Sequence, residues 1–268
     1  MKYQSYPLPE SLQPWLREAW ELRGNEFATP TTLYPDGLVD VLLNVGPAYD
    51  YTYEGTTGNL SPGVHLSGVL LSPITLHFHA EMHLIGLRFS PEKFYQLYQE
   101  LPQPERTQIV SLEALRAWVP GSATTLNEAV QHLESHIQGE PEHDVVFQAV
   151  RWLEKTHGMM PIQELARKVA ASTSKLERSF RHQVGTTPKR YGQLLRFRGL
   201  MAYLSQHTEA TPKDLVYAFG YTDGSHLHKD LRQLAQKAPT EVKTHISRFF
   251  TKHVSFEWES LLSTQQGN

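Results

Sequence analysis

A duplicated segment in the C-terminal half is the feature that most constrains how this chain can fold. Residues 161–188 are repeated as residues 211–239, and Arg178 matches Lys229 at an offset of 51. Positions before the central turn match at an offset of 50, so one residue is inserted within the second turn. Each copy reads as a short helix, a tight turn and a longer basic helix. The pattern predicts two helix-turn-helix units.

The turns and the segment between the two copies predict where the helices begin and end. Ser172 and Asp223 close the two turns and are suited to cap the helices that follow, because their side-chain oxygens can accept from free backbone amides. Residues 189–207 have the periodicity of a single long helix. A stiff connector of that length can hold two helices about 34 Å apart, which is one turn of DNA.

The second helix of each unit has one apolar face and one polar, basic face. The apolar positions, which are expected to face the core, are Leu176, Phe180 and Val184 in the first copy and Leu227, Leu231 and Leu234 in the second. The opposite faces carry Ser174, Lys175, Glu177, Arg178 and Arg181 in the first copy and Ser225, His228, Lys229 and Arg232 in the second. An ordinary solvated face would explain one such helix. Two copies in register favour a reading surface for DNA.

The side chains on these faces match the chemistry of a major groove. Arg178 is suited to donate twice to a guanine and Glu177 to accept from a cytosine amino group, each worth roughly 1–3 kcal/mol of discrimination. Ser225 and His228 can meet several kinds of base edge. Phosphate or mixed contacts, which set affinity and salt dependence, are expected from Arg181, Lys229 and Arg232.

The charge of the chain is divided between its halves. Residues 1–144 carry 7 Lys and Arg against 18 Asp and Glu, a balance of −11, whereas residues 145–250 carry 17 against 8, a balance of +9. A basic half of this kind is typical of a polyanion binder. The split also raises the hypothesis that the acidic half docks on the basic half and occludes it until an effector binds.

The C-terminal segments ELARKVAASTSKLERSFRHQVGTTPKRY and AFGYTDGSHLHKDLRQLAQKAP resemble the DNA-binding domain of the AraC/XylS family of bacterial transcription regulators. The second segment carries the more specific signature, G-Y-x-D-x-S-H-L-x-K-x-L-R. The resemblance implies a two-lobed helical domain that binds double-stranded promoter DNA and acts on RNA polymerase. It places the base-reading positions at Ser174, Glu177, Arg178, Gly224, Ser225, His228 and Lys229. Gly224 has no side chain, and Lys229 stands where the family usually has Arg.

The N-terminal half is predicted to be rich in β-strands, with helices beside them. Strands are expected at 39–45 and 48–55, and two more within 74–89, while Gly and Pro punctuate the runs between them. Helices are expected at 11–22, 90–101 and 124–137, the second with Ser90 as its cap, Pro91 at its first position and Glu92 in its first turn. The segments YPDGLVDVLLNVG and HLIGLRFSPEKFYQL are similar to a β-rich N-terminal domain of a subset of the same family.

These expectations combine into a two-domain α+β fold. The polar, acidic segment 139–144 coincides with the charge reversal and predicts a domain boundary. We expect a β-rich sensor or dimerisation domain over 1–144, an all-α DNA-binding domain of two helix-turn-helix units joined by a long helix over 145–248, and a tail over 249–268. A small-molecule effector and a homodimer are both compatible with this division.

Two other uses of the N-terminal half remain open. His77, His79 and His83 lie close together in sequence and would support a cupin-like, metal-dependent enzyme if a hairpin brought them together. A simpler explanation is that they are polar residues of the strands with no metal role. His132 and His136 could also bind a metal, but positions on an exposed helix surface explain them equally well. Aromatic side chains could line a small-molecule pocket, although core positions explain them equally well; they are Tyr51, Tyr53, Phe78, Phe89, Tyr95 and Tyr98.

Several function classes are excluded by composition. The chain has 268 residues and no Cys, which excludes disulfide scaffolds, thiolate metal sites and cysteine nucleophiles. Nothing resembles a nucleophile elbow, a P-loop or a dinucleotide fingerprint, so no catalytic residue, metal or cofactor is predicted. The sequence shows neither a secretory leader nor an apolar run long enough for a bilayer. A cytoplasmic transcription regulator is the expectation; a protein-binding module that uses the helical domain only as an interaction surface is the alternative.

Overall fold

A computed structural model of the chain describes residues 2–24, 30–78, 81–111, 115, 125–207 and 209–236. In these ranges ten β-strands all precede residue 112, and six of the eight α-helices follow residue 144. The structure therefore confirms the predicted α+β class, with a β-rich N-terminal part and an all-helical C-terminal part. Over the same ranges, no helix combines the length and the apolar character needed to cross a membrane.

The strands form two antiparallel sheets. In chain order they are β1 (Lys2–Tyr6), β2 (Leu16–Gly24), β3 (Thr31–Leu33), β4 (Val39–Asn44), β5 (Tyr49–Tyr53), β6 (Thr56–Leu60), β7 (Gly63–Ser67), β8 (Ile74–His77), β9 (Met82–Phe89) and β10 (Ile109–Ser111). The larger sheet has the spatial order β1-β2-β9-β4-β7-β10, and the smaller has the order β3-β8-β5-β6. The strands predicted at 39–45 and 48–55 are confirmed as β4 and β5, and the segment 74–89 supplies β8 and β9.

The two sheets face each other and enclose an apolar core of their own. Trp20 of the larger sheet and Tyr53 of the smaller sheet belong to this core. Gly86 makes room for the indole, since a Cβ at that position would lie 2.1 Å from Cε2 of Trp20. The other face of the larger sheet, which includes Leu87, belongs to a second core shared with the helices. The larger sheet is therefore buried on both faces.

Burial on both faces explains why the helix predicted at 11–22 is wrong. Residues 16–24 of this segment form β2 instead, and a β-bulge interrupts its pairing between Leu16 and Glu18. Ala19 packs into the core shared with the helices, while Trp20 packs into the core between the sheets. Consecutive apolar residues that point to opposite faces imitate helical spacing.

The N-terminal part also contains two α-helices and a 3-10 helix in its described residues: α1 (Pro91–Leu97), the 3-10 helix (Gln103–Thr107) and α2 (Leu126–His136). α1 begins where the sequence predicts, but Ser90 Oγ donates to Glu92 Oε1 at 2.9 Å rather than capping a backbone amide. α2 confirms the helix predicted at 124–137 and begins with a capping box at Thr125. Its predicted apolar stripe is buried, at Leu126, Ala129, Val130, Leu133 and Ile137.

The C-terminal part consists of six helices, α3 (Val145–Lys155), α4 (Ile162–Lys168), α5 (Thr173–Val184), α6 (Pro188–Gln206), α7 (Pro212–Ala218) and α8 (Gly224–Ala235). α6 is the predicted connector, shifted by one residue at each end. It is apolar on most of its circumference, as expected of a helix packed on several sides, and Gly199 is buried within it.

The β-rich part and the helical part share one continuous core. Tyr34 packs edge-on against Phe197 of α6, with ring centroids 6.0 Å apart. Gly37, at φ +83°, lets its loop approach Tyr191, since a Cβ there would lie 3.2 Å from Cε2 of the ring. The division into domains at 1–144 and 145–248 stays a prediction, and the tail 249–268 lies outside the described residues.

Glu92 of α1 is a buried carboxyl group at the junction of the two parts. Its side chain lies near Glu154 of α3, which is itself paired with Arg17 of β2, and only 1% of Glu92 is exposed. Burial disfavours the carboxylate and Glu154 repels it, so the pKa of Glu92 is raised to about 7. Ionisation of this group therefore opposes folding at neutral and alkaline pH.

We expect Glu92→Gln to raise the free energy of unfolding at pH 8 by about 3 kcal/mol. Because the folded-state pKa lies above the unfolded value, the wild-type protein loses this stability as the pH rises from about 5 to 8. The free energy of unfolding of the variant should fall much less over the same pH range. Urea unfolding at both pH values measures the difference, with Glu140→Gln, at an exposed position, as the control. Parallel pH profiles for the two variants would contradict the assignment.

Candidate nucleic-acid interface

The N-terminal ends of α5 and α8 are capped as the sequence predicts. The Ser172 side chain accepts from the backbone amide of Lys175 at 3.2 Å, and the Asp223 carboxylate accepts from the amide of His226 at 2.9 Å. Each cap satisfies an amide that has no partner within its helix. The first turn of each long helix is thereby fixed to the turn before it.

The sequence repeat is also a repeat of backbone geometry. Ala170 and Gly220, which correspond at an offset of 50, adopt φ angles of +51° and +61°. In the next positions the amide of Ala171 donates to Ala166 O, and the amide of Tyr221 donates to the oxygen of residue 216, both at 3.0 Å. The inserted residue therefore lies between Tyr221 and the second cap. Both long helices end on a left-handed residue, at positions 185 and 236.

The buried and exposed faces of α5 and α8 confirm the amphipathic pattern. The six predicted apolar positions are fully buried: Leu176, Phe180, Val184, Leu227, Leu231 and Leu234. Eight of the nine predicted reading residues are exposed, namely Ser174, Lys175, Arg178, Arg181, Ser225, His228, Lys229 and Arg232; Glu177 is half-buried. The packing that fixes each helix therefore also directs its basic face to solvent.

The exposed side chains of each helix line a shallow, open depression. Ser174, Glu177, Arg178 and Arg181 line the first, and Ser225, His228, Lys229 and Arg232 line the second. Lys175 is not among the lining residues of the first. Gly224, at a position where the family resemblance implies a base contact, lines the second depression but has no side chain to make that contact. Each depression thus gathers hydrogen-bond donors along the exposed face of one helix.

The N-terminal part contacts α5 beside the exposed basic face that the sequence predicts to read DNA. Gln103 of the 3-10 helix lines the same depression as Arg178. The hydroxyl of Tyr95 lies 2.9 Å from Nε2 of His182 on α5. A Cβ at Gly185, the C-terminal cap of α5, would lie 2.8 Å from Cβ of Arg106. Sequence reasoning considered Tyr95 only as a pocket residue and missed these contacts with α5, because nothing local to α1 or to the 3-10 helix indicates a neighbour some eighty residues away.

These contacts bear on the hypothesis that the acidic half occludes the basic half. Asp144 accepts from the amide nitrogen of Gln183, so an acidic residue does meet α5. It does so on the side that faces α3, and the cations Arg178 and Arg181 remain exposed. In the described residues the halves are joined through packing, hydrogen bonds and the Arg17–Glu154 ion pair, and the exposed basic faces of α5 and α8 stay open to solvent.

The candidate histidine site is not assembled from the described residues. His77 Nε2 lies 3.2 Å from Thr52 Oγ1 in the smaller sheet, whereas His83 Nε2 lies 2.7 Å from Glu21 Oε1 in the larger sheet. β8 and β9 belong to different sheets and do not form the hairpin that would bring the rings together. His79 lies outside the described residues, and among those described no group of three His, Cys, Asp or Glu side chains could hold a metal ion.

The aromatic residues considered for a pocket are dispersed. Tyr51, Tyr53 and Phe78 pack in or beside the core between the sheets, and Phe89 packs in the other core. Tyr95 and Tyr98 belong to the α1 region, where Arg106 stacks over the Tyr95 ring at 4.8 Å. These side chains therefore act in separate parts of the fold rather than around one cavity.

Two family models match the chain. Residues 165–245 match a helix-turn-helix domain, and residues 4–108 match a domain of unknown function, DUF6597. The HTH-type transcriptional activator RhaS of Escherichia coli (strain SE11) is 28% identical over 131 residues, which cover 48% of this chain and 40% of the relative. The chain thus spans less than half the length of the curated relatives it matches.

Solved structures of two proteins are similar to the chain. ToxT from Vibrio cholerae O395 is 10% identical, with 86% of this chain and 98% of that chain covered and a TM-score of 0.47. The AraC-like transcriptional activator CuxR is 13% identical, with 69% and 73% covered and a TM-score of 0.28. The helix-turn-helix match at 165–245, the alignment with RhaS and the signature at the start of α8 agree, and the C-terminal part of the chain is a helix-turn-helix domain of the AraC type.

Proposed function

We propose that this regulator reads two successive major-groove segments of promoter DNA with α5 and α8. The observation that carries the proposal is the structural repeat itself: two capped helices with matching turns present exposed, basic faces from one chain. A helix-turn-helix unit places the N-terminal residues of its second helix on base edges. α6 spans about 28 Å at 1.5 Å per residue and is the rigid element that sets the spacing of the two units.

Each reading residue has a distinct role in this proposal. Arg178 donates to a guanine, and the half-buried Glu177 accepts from a cytosine amino group. Ser225 and His228 meet base edges in the second segment. Arg181 and Arg232, further along the two helices, and Lys175 neutralise phosphates and position the protein on the duplex. Lys229 makes a mixed contact, to a base edge and to a phosphate.

We further propose that the N-terminal part regulates DNA binding in response to a small molecule or a protein partner. The support is the contact between α5 and the segment that contains Tyr95, Arg106 and Gln103, because a change there is transmitted to a reading helix. Dimerisation through the N-terminal part and contact with RNA polymerase complete the proposal by resemblance to the family.

Selection of genomic fragments by the full-length protein at near-physiological salt tests the function directly. We expect a recurrent motif of two blocks about 10–10.5 bp apart, one for each reading helix. A motif with a single block would contradict tandem reading, and the absence of any enriched sequence with or without cell extract would contradict sequence-specific binding. The genes beside the enriched fragments would indicate the effector.

The phosphate-contacting residues should be distinguishable from the base-reading residues by salt dependence. We expect Arg181→Ala and Arg232→Ala each to weaken binding evenly across operator sequences and to lower the slope of log K against log salt by about 1, because each removes one released counterion. Anisotropy titrations between 50 and 200 mM salt would measure the slope. Unchanged slopes with altered sequence preference would mean that these arginines read bases instead.

A further inference from the structure

A chain of hydrogen bonds connects the N-terminal sheets to the second reading helix through α6. Arg190 Nη2 donates to the backbone oxygen of Leu71, between β7 and β8, at 2.9 Å. Arg190 Nη1 donates to Gln193 Oε1 at 3.5 Å, and Gln193 Nε2 donates to Asp230 Oδ1 on α8 at 3.2 Å. We call these three links the 71–230 chain. It joins parts of the sequence that are more than 150 residues apart.

Asp230 is an unusual residue at its position. It is 2% exposed and interrupts the apolar face of α8 between Leu227 and Leu231. Burial raises the pKa of this carboxyl group, and nearby cations, among them Arg196 and Arg190, oppose that shift. A buried carboxylate adds little net stability but strongly prefers one arrangement of its partners, since any other leaves it without a donor. The corresponding residue of the first copy is Ser179, which carries no charge.

The N-terminal end of the 71–230 chain is itself fixed. The Tyr53 hydroxyl accepts from the backbone amide of Leu71 at 3.0 Å and donates to the backbone oxygen of Thr107 at 3.2 Å. Thr107 is the last residue of the 3-10 helix that lies beside α5. One buried strand residue of the smaller sheet is therefore hydrogen-bonded to the segments that lead to both reading helices.

We propose that Asp230 is a positioning residue, which through Gln193 and Arg190 fixes the orientation of α8 relative to the N-terminal sheets. The first reading helix rests directly on the N-terminal part, and the second is oriented through the 71–230 chain. Breaking the chain therefore impairs recognition of the second DNA block and leaves the first intact. This inference rests on the proposed function for its DNA readout and on the structure alone for its second readout.

The first test uses the full-length protein with the selected two-block DNA and with DNA in which the second block is scrambled. We expect Gln193→Ala and Arg190→Ala to reduce the preference for two-block DNA by about fivefold, the effect of one net hydrogen bond, with no change for the scrambled DNA. Asp230→Ala should act similarly, and Asp230→Asn should recover most of the preference because its amide oxygen still accepts from Gln193.

Arg198→Ala is the matched control. Arg198 also lies on α6 and donates to a backbone oxygen of the N-terminal part, that of Asp36, at 3.4 Å. We expect it to leave the two-block preference unchanged. The Arg190→Ala/Asp230→Ala variant should show no greater loss than Asp230→Ala, because both substitutions break the same chain. Additive losses, or equal losses on both DNAs, would overturn the proposal.

Hydrogen exchange of the free protein provides the second test, which needs no DNA. In Gln193→Ala we expect the amides of α8 to exchange about fivefold faster, with those of α5 unchanged. Equal acceleration in both helices, or none, would overturn the positioning role. Should the wild-type protein select no DNA sequence, the proposed function fails, while the exchange measurement still decides whether the 71–230 chain orients α8.

Discussion

Replacing Arg178 and Lys229 together by alanine is expected to abolish sequence-specific DNA binding and to leave the fold intact. Both side chains are exposed, and they occupy equivalent positions on α5 and α8. Each substitution removes about 1–3 kcal/mol of base or mixed contact, and the two losses should add because the helices meet separate DNA blocks. A combined loss of about 4 kcal/mol reduces operator affinity roughly a thousandfold.

Affinity titration of operator and scrambled DNA measures this effect. The matched control is Arg151→Ala/Lys213→Ala, which removes the same charge from exposed positions on α3 and α7. We expect the control to lose only the general electrostatic part of the affinity, equally for both DNAs. If the Arg178 and Lys229 variant still bound its operator like the wild-type protein, the assignment of α5 and α8 as reading helices would be wrong.

Gly158→Ala is expected to lower the melting temperature by about 10 °C. Gly158 has a φ of +69°, and a Cβ there would lie 1.9 Å from the backbone oxygen of Gly192 on α6. The positive φ costs about 1 kcal/mol, and the clash adds about 2 kcal/mol because backbone atoms cannot turn aside. The segment after α3 must then move away from α6, which is the helix that joins the two reading units.

Thermal unfolding of Gly55→Ala separates the cost of the positive φ from the cost of the steric clash. Gly55 has a φ of +78° in the turn between β5 and β6, but no atom lies within 4 Å of the position its Cβ would take. We expect it to lower the melting temperature by about a third as much as Gly158→Ala, since only the backbone cost applies. Equal decreases would mean that the close approach to Gly192 is relieved at no cost.

The amphipathic helices α5 and α8 could be predicted because their signals are local. Caps such as Ser172 act within one turn of their own position, and apolar stripes such as Leu176–Phe180–Val184 recur at the spacing of a helix. The repeat made the second copy an independent test of the first. The same reasoning failed at β2, where Ala19 and Trp20 pack into different cores, because periodicity records burial and does not record how many faces are buried.

The sequence by itself determined the α+β fold class, the two helix-turn-helix units and the residues on their exposed faces, because those features depend on residues that are close together in the sequence. Only the tertiary structure decided which parts of the N-terminal half contact those units. The contact of Tyr95 with His182, and the hydrogen bonds from Leu71 to Asp230, join segments separated by tens to more than a hundred residues. Local sequence patterns do not predict such pairs. The sequence around a polar side chain is the same whether that side chain hydrogen-bonds to water or to a residue far along the chain.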